Sequence, residues 1–293
     1  MRKQKFNAGI ITILFLLMMV LSASAVQAAS TKYLLKDQKK STSVYADLTG
    51  DGKSEKIGFF IKKDECGNNT GLKVTVNGKT SFVKTKFLYY EYEVKYIYQS
   101  KNRQFIQVIA WGDSGMRDIN AIYKYDKKQK KLVCVLDVSE SGVGAGTLVD
   151  KVTSTSIRIP NICMPSLVGR VQWYYTYKYV NGKFKLVSST PSVKSIFGRK
   201  GAYDPGDGYN KYFRKNQFIA NKNLTFYTNT DMKKPAFSVK PGAVVTLSKV
   251  KITKNGMYMS FRYKSKTGWM NARRDSAFSF KGVSSRMAGG FLG

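Results

Sequence analysis

The 293-residue chain contains no histidine. That absence removes Ser-His and Cys-His nucleophilic catalysis, because no imidazole is present to take the proton. It also removes every zinc site built on an imidazole ligand. Cysteine is scarce: Cys66, Cys134 and Cys163 allow at most one bridge, so a disulfide framework is excluded. Cys134 lies inside the apolar run 132–136, where it reads as a small buried hydrophobe. Six prolines are too few for an extended proline-rich spacer. Acidic residues are also in short supply, with 18 against 50 Lys and Arg.

Long apolar runs are missing except at the start. Arg2, Lys3 and Lys5 precede an uncharged apolar stretch, 10–21, and small residues such as Ala23, Ser24, Ala25, Ala28 and Ala29 follow. This is the three-part pattern of a secretory signal, expected to be cleaved near Ala28 or Ala29. A core of about a dozen residues falls short of the roughly 20 needed to span a bilayer. No transmembrane span is therefore expected after cleavage. The expected location is secreted, extracellular or associated with the cell wall.

The positive charge is unevenly spread. Residues 30–150 carry 21 basic and 14 acidic side chains, whereas 151–293 carry 26 and 4. The second half is a polycation, and a surface of that kind attracts polyanions. Outside a cell these are teichoic acids, other anionic wall polymers, anionic lipid head groups or stray nucleic acid. No nucleic-acid-binding signature accompanies the charge, so no specific nucleic-acid partner is expected.

Nineteen Tyr and 17 Phe, with frequent Val and Thr, favour strands. From Lys56 onward, short alternating or apolar runs follow one another at 56–63, 72–76, 81–83, 87–98, 104–110, 121–125, 131–138, 156–159, 171–180 and 184–187. Asn77-Gly78 and Asn181-Gly182 suit two-residue hairpins, since both positions tolerate positive φ. The pattern predicts an all-β protein with a multi-stranded antiparallel domain, propeller-like or a sandwich, over 30–190. Gly and Pro crowd the stretch up to Gln217, so 191–217 reads as a linker. A smaller β unit over 218–280 and a tail over 281–293 complete the expected organisation.

Asp47-Leu48-Thr49-Gly50-Asp51-Gly52-Lys53-Ser54-Glu55 is the motif with the most specific chemistry. Asp47, Thr49, Asp51 and Glu55 set oxygens at loop positions one, three, five and nine, and Lys53 offers a backbone carbonyl. Calcium takes six to eight oxygens, and this spacing wraps a loop around such an ion. Gly58 stands where an EF-hand places its bidentate Glu. The segment resembles the calcium loops of FG-GAP and VCBS-type repeats, in which the loop runs directly into an apolar strand, here 57–61. The resemblance implies one structural Ca²⁺, although the loop occurs once rather than as a repeat.

In the second unit, Pro241-Gly242 leads into the apolar run 243–247. Met257-Tyr258-Met259-Ser260-Phe261-Arg262-Tyr263 alternates, a turn is expected at 265–267, and Gly268-Trp269-Met270 closes the pattern. This is similar to the bacterial SH3-like domain, and the resemblance implies a small β-barrel that holds secreted proteins on peptidoglycan. Tyr227-Thr228-Asn229-Thr230-Asp231 replaces the usual opening of that family. Trp269 reads either as a core residue or as a ligand-facing aromatic beside Tyr258 and Tyr263. Lys264, Lys266, Arg273 and Arg274 flank the same strands and would supply a basic rim for phosphate oxygens.

Two further patterns bear on catalysis. Gly112-Asp113-Ser114-Gly115 matches four letters of the chymotrypsin-type nucleophile segment, and without histidine it reads as a polar loop. Glu91 and Glu93 share one strand face and are a conceivable acid pair for a wall hydrolase, although the alternation places both toward solvent. The expected function is non-catalytic: a cell-envelope binding protein whose basic half associates with teichoic acid or peptidoglycan. A wall-active hydrolase and an extracellular adhesin are the alternatives.

Overall fold

In a computed structural model of the chain, the described residues are 28–112, 119–139, 145–163, 171–196, 216–220, 222–253, 256–272, 278–280 and 283–284. The signal-like segment up to residue 27, residues 113–118 of the Gly112-Asp113-Ser114-Gly115 stretch and beyond, most of the stretch read as a linker and most of the 281–293 tail lie outside them. The protein is all-β, with antiparallel strands in four sheets and no helix among the described residues. Among those residues no helix is long and apolar enough to cross a membrane.

β1 (Ser30–Gln38) is the first strand. β2 (Thr42–Ala46), β3 (Glu55–Lys63), β4 (Asn69–Val76) and β5 (Lys79–Tyr89) form a four-stranded meander. β6 (Glu91–Ser100), β7 (Arg103–Trp111), β8 (Ile119–Asp126) and β9 (Lys131–Asp137) form a second meander, which β1 extends by pairing with β6. A third sheet holds β10 (Ala145–Gly146), β11 (Lys151–Val152), β12 (Ser156–Cys163), β13 (Val171–Val180), β14 (Lys183–Leu186) and β15 (Val193–Ile196). Both Asn-Gly turns have positive φ at each position, 49° and 78° at Asn77-Gly78 and 51° and 80° at Asn181-Gly182.

The second sheet is covered on both faces. Tyr92, Val94, Ile106 and Val108 pack with Ile57, Phe59, Leu72 and Val74 of the first sheet. Ile97, Phe105, Ile122 and Val135 instead join Ile157, Ile159, Trp173 and Phe184 of the third. The second of these contacts carries buried polar groups. Lys95 donates to the Val149 carbonyl at 2.6 Å, and Gln99 donates to the Thr153 carbonyl at 3.0 Å. Gln107 donates to the Thr147 carbonyl and accepts the Val149 N–H at 2.7 Å. The 147–153 backbone is thus satisfied by side chains of the middle sheet, as buried peptide groups require.

Two sequence expectations change here. Residues 87–98 are not one strand: the chain bends at Tyr90 and passes from the first sheet into the second, and the Tyr90 N–H bonds the Trp111 carbonyl at 2.8 Å. Cys134 is exposed, because an irregularity between Ile122 and Tyr123 shifts the β8–β9 register and turns Cys134 outward while Val135 stays buried.

The last sheet contains β16 (Gln217–Ala220), β17 (Leu224–Tyr227), β18 (Pro235–Val239), β19 (Val244–Thr253), β20 (Gly256–Tyr263), β21 (Lys266–Asn271), β22 (Phe278–Phe280) and β23 (Val283–Ser284), in the order β18-β17-β21-β20-β19-β16-β22-β23. Phe218, Phe226, Phe237, Val245, Leu247, Met259, Phe261 and Met270 meet in one cluster, so the sheet curls around its own core. That cluster is continuous with the third sheet's core. Residues 193–196, inside the stretch read as a linker, form β15 and pair with β13. Ser192 bridges to Lys249, and the Val250 N–H bonds the Pro191 carbonyl at 3.0 Å.

Candidate ligand-binding face

The register of β19, β20 and β21 decides which side chains a ligand can meet. Met257, Met259 and Phe261 point into the core, so Tyr258, Ser260 and Arg262 take the opposite face. Ser260 stands opposite Trp269, Arg262 opposite both Thr246 and Thr267, and Tyr227 opposite Trp269. Trp269 is therefore an outward, half-buried residue rather than a core one. Gly268 explains why the strand can place it there: a Cβ on Gly268 would lie 2.7 Å from the Phe226 Cβ, so only glycine fits the inward position.

A hollow of about 520 Å³ lies on this outer face, at the seam with the third sheet. Its ionisable lining groups are Lys249 and Arg262, and Ser192, Thr246, Ser248 and Thr267 add hydroxyls. No carboxylate among the described residues lines it. Thr267 precedes Trp269 by two positions on the same face, so an indole and the Tyr227 ring stand next to the cationic hollow. Two cations, a row of hydroxyls and neighbouring aromatic rings suit an anionic, hydroxyl-rich ligand.

The structure divides the constellation expected from sequence. Tyr258 shares Trp269's face but is only 7% exposed and presents little surface. Tyr263 lies on the inner side, stacked on Phe237 with centroids 6.1 Å apart and planes 21° apart. Lys266 is its cross-strand partner, and Lys264, in the turn at φ 53°, sets its ammonium 5.5 Å from the Tyr263 ring centroid. Arg273 and Arg274 lie outside the described residues. Lys249, Arg262, Thr246 and Tyr227 were not picked out from the sequence. The signal for Arg262 was present, since it shares Ser260's parity in the alternation; Lys249 follows an irregularity between Leu247 and Lys249 that no pattern announces.

The Asp47 loop closes on itself. The Asp47 carboxylate accepts the backbone N–H groups of Thr49 at 3.1 Å, Gly50 at 2.6 Å and Gly52 at 3.0 Å. Glu55, 7% exposed, accepts the Leu48 N–H at 2.7 Å, and Asp51 accepts the Lys53 N–H at 2.8 Å. Tyr96 donates to the Asp47 carbonyl at 2.8 Å. The carboxylates are directed at amides and not at a common point. Among the described residues no three His, Cys, Asp or Glu side chains gather as a metal-ligating group. In this form the carboxylates are not gathered as a calcium donor set, and they would have to converge to hold an ion.

Glu93 is buried, not solvent-facing, because the middle sheet is covered on both sides. An irregularity in β1 between Leu35 and Gln38 brings Asp37 beside it. Burial first, then a hydrogen bond to Asp37 and the charges of Asp37 and Glu91, raise the Glu93 carboxyl to about 7. Protonated Glu93 donates to Asp37, and the pair is bonded directly. A glycosidase pair needs a sugar linkage between its acids, about 5 Å or more apart. Glu93 and Asp37 hold β1 on β6 instead.

No protein-family model, curated protein or solved structure matches the chain.

Proposed function

We propose that this is a non-catalytic, exported cell-envelope binding protein whose C-terminal sheet holds an anionic, hydroxyl-rich wall polymer of the teichoic acid type. One observation carries the reading: the hollow between β15, β19, β20 and β21 is lined by Lys249, Arg262 and hydroxyls, with no acid among the described residues. The charge of the second half adds long-range attraction, 26 basic against 4 acidic side chains over 151–293. Phosphodiester oxygens match the Arg262 guanidinium, and sugar or polyol hydroxyls match the Ser and Thr rim. The likeness to SH3-like wall-binding domains points in the same direction. The three stacked sheets before it are the displayed part.

The experiment compares pelleting of the wild type and a Lys249→Ala, Arg262→Ala variant with teichoic acid-bearing walls. Loss of two charge-assisted contacts is expected to weaken binding at least about tenfold. Equal pelleting of the two proteins contradicts the assignment of this face. Binding that ignores the pair but is lost in Trp269→Ala would move the ligand to the peptidoglycan itself.

A further inference from the structure

At the far end of the stacked sheets, connections from all three meet. The loop after β2 brings Leu48 and Thr49, the β6–β7 turn Asn102, the β8–β9 turn Lys127 and Gln129, and the β13–β14 turn Gly182. They enclose a hollow of about 440 Å³. Its apolar wall is made by Leu48, Val133, Val135 and Tyr179, and Val133 is 36% exposed. A second hollow of about 380 Å³ adjoins it, sharing Thr49, Tyr125 and Lys127 and adding Lys79 and Lys130.

The charges around these hollows are unbalanced. Lys79, Lys124, Lys127 and Lys130 line them, and none makes an ion pair among the described residues. The two acids present are engaged by their own turns. Asp126 accepts the N–H groups of Lys128 and Gln129 at 2.8 and 3.0 Å, and Asp51 accepts that of Lys53. Lys124 lies partly buried with its ammonium 5.4 Å from the Tyr179 ring centroid. Burial, then the nearby Arg103, push its pKa below the ordinary lysine value against the opposing pull of Asp126. A partly desolvated cation whose neighbouring acid, Asp126, is already engaged by its own turn amides, beside an apolar wall, suits an anion that carries apolar surface.

We propose that this end of the stacked sheets is a second binding site, taking a small phosphate monoester with an aromatic or alicyclic body. The body lies on Val133 and Tyr179, which the buried Leu48 and Val135 support from beneath, and the phosphate is held by Lys124 and Lys127. Four lysines favour a dianionic phosphate over a carboxylate. The site is independent of the outer face of the C-terminal sheet.

The test titrates the mature chain with phenyl phosphate, inorganic phosphate and phenol, followed by calorimetry or NMR. Phenyl phosphate is expected to bind with a dissociation constant of about 1 mM or tighter, at least about tenfold better than either half alone. Lys124→Met with Lys127→Met is expected to lose at least about tenfold of that affinity, whereas Arg262→Ala retains it. Lys127→Met alone, at an exposed turn, gives a variant whose folding is not at stake, and it is expected to weaken binding severalfold. Equal affinity for inorganic and phenyl phosphate overturns the proposal. So does the absence of saturable binding up to about 10 mM, or affinity that none of the lysine variants moves.

Discussion

Gly50 and Gly52 sit two residues apart in the Asp47 loop and are held there for different reasons. Both have positive φ, 73° and 87°. At Gly50 a Cβ would stand 1.7 Å from the Lys101 carbonyl oxygen, whereas nothing lies within 4 Å at Gly52. Gly52→Ala meets only the left-handed backbone cost, about 1–2 kcal/mol. Gly50→Ala must also push the β6–β7 turn away, and a loss of about 3 kcal/mol or more is expected. Denaturant midpoints of the two variants check the order; equal losses would mean that the turn does not press on Gly50. A second prediction concerns Glu93. Its unfolded carboxyl titrates near 4.5, and the folded one near 7. Between these values the folded state binds more protons, so this group's contribution to stability is complete below 4.5 and lost as pH rises through 7. Glu93→Gln keeps a donor for Asp37 without the charge. Thermal melts are expected to show the variant gaining on the wild type as pH rises to about 8. A stability difference that does not change with pH contradicts the buried acid pair.

Among elements, the Asp47 loop offers the most direct comparison of sequence and structure. The spacing of Asp47, Asp51 and Glu55 is that of a calcium loop, yet amides occupy these oxygens. Excess calcium is therefore expected to leave the melting temperature unchanged, in wild type and Asp51→Ala alike. A rise of several degrees that Asp51→Ala abolishes would show that the loop reopens around an ion. The hairpins were legible because Asn-Gly dipeptides fix turn geometry locally, as the positive φ values at both sites show. The change of sheet at Tyr90 was not, because the aromatic-rich stretch from Phe87 to Tyr98 contains no Gly or Pro to mark it. Strand parity predicted Glu93 outward, but parity assigns a face without saying what covers it. Trp269 shows the same limit: its neighbours Gly268 and Met270 give its parity, and only the curl of the sheet makes that side the outside.

At the scale of the molecule, the all-β class was legible from residue-type frequencies and alternation, both local properties. The stacking order was not, since it depends on which meander covers which, and on side chains such as Lys95 and Gln107 satisfying backbone some 40 to 54 residues away. Charge was fully legible, and it is the part of the account that acts at long range. Electrostatic association with a polyanion weakens steeply as salt is raised, because the contacts release counter-ions and are screened. The most direct measurement is co-sedimentation of the mature protein with walls bearing teichoic acids and with walls stripped of them, across a salt series. The account predicts pelleting that requires the teichoic acids and falls progressively with salt. Pelleting that persists on stripped walls at high salt, or no pelleting on either, would contradict it.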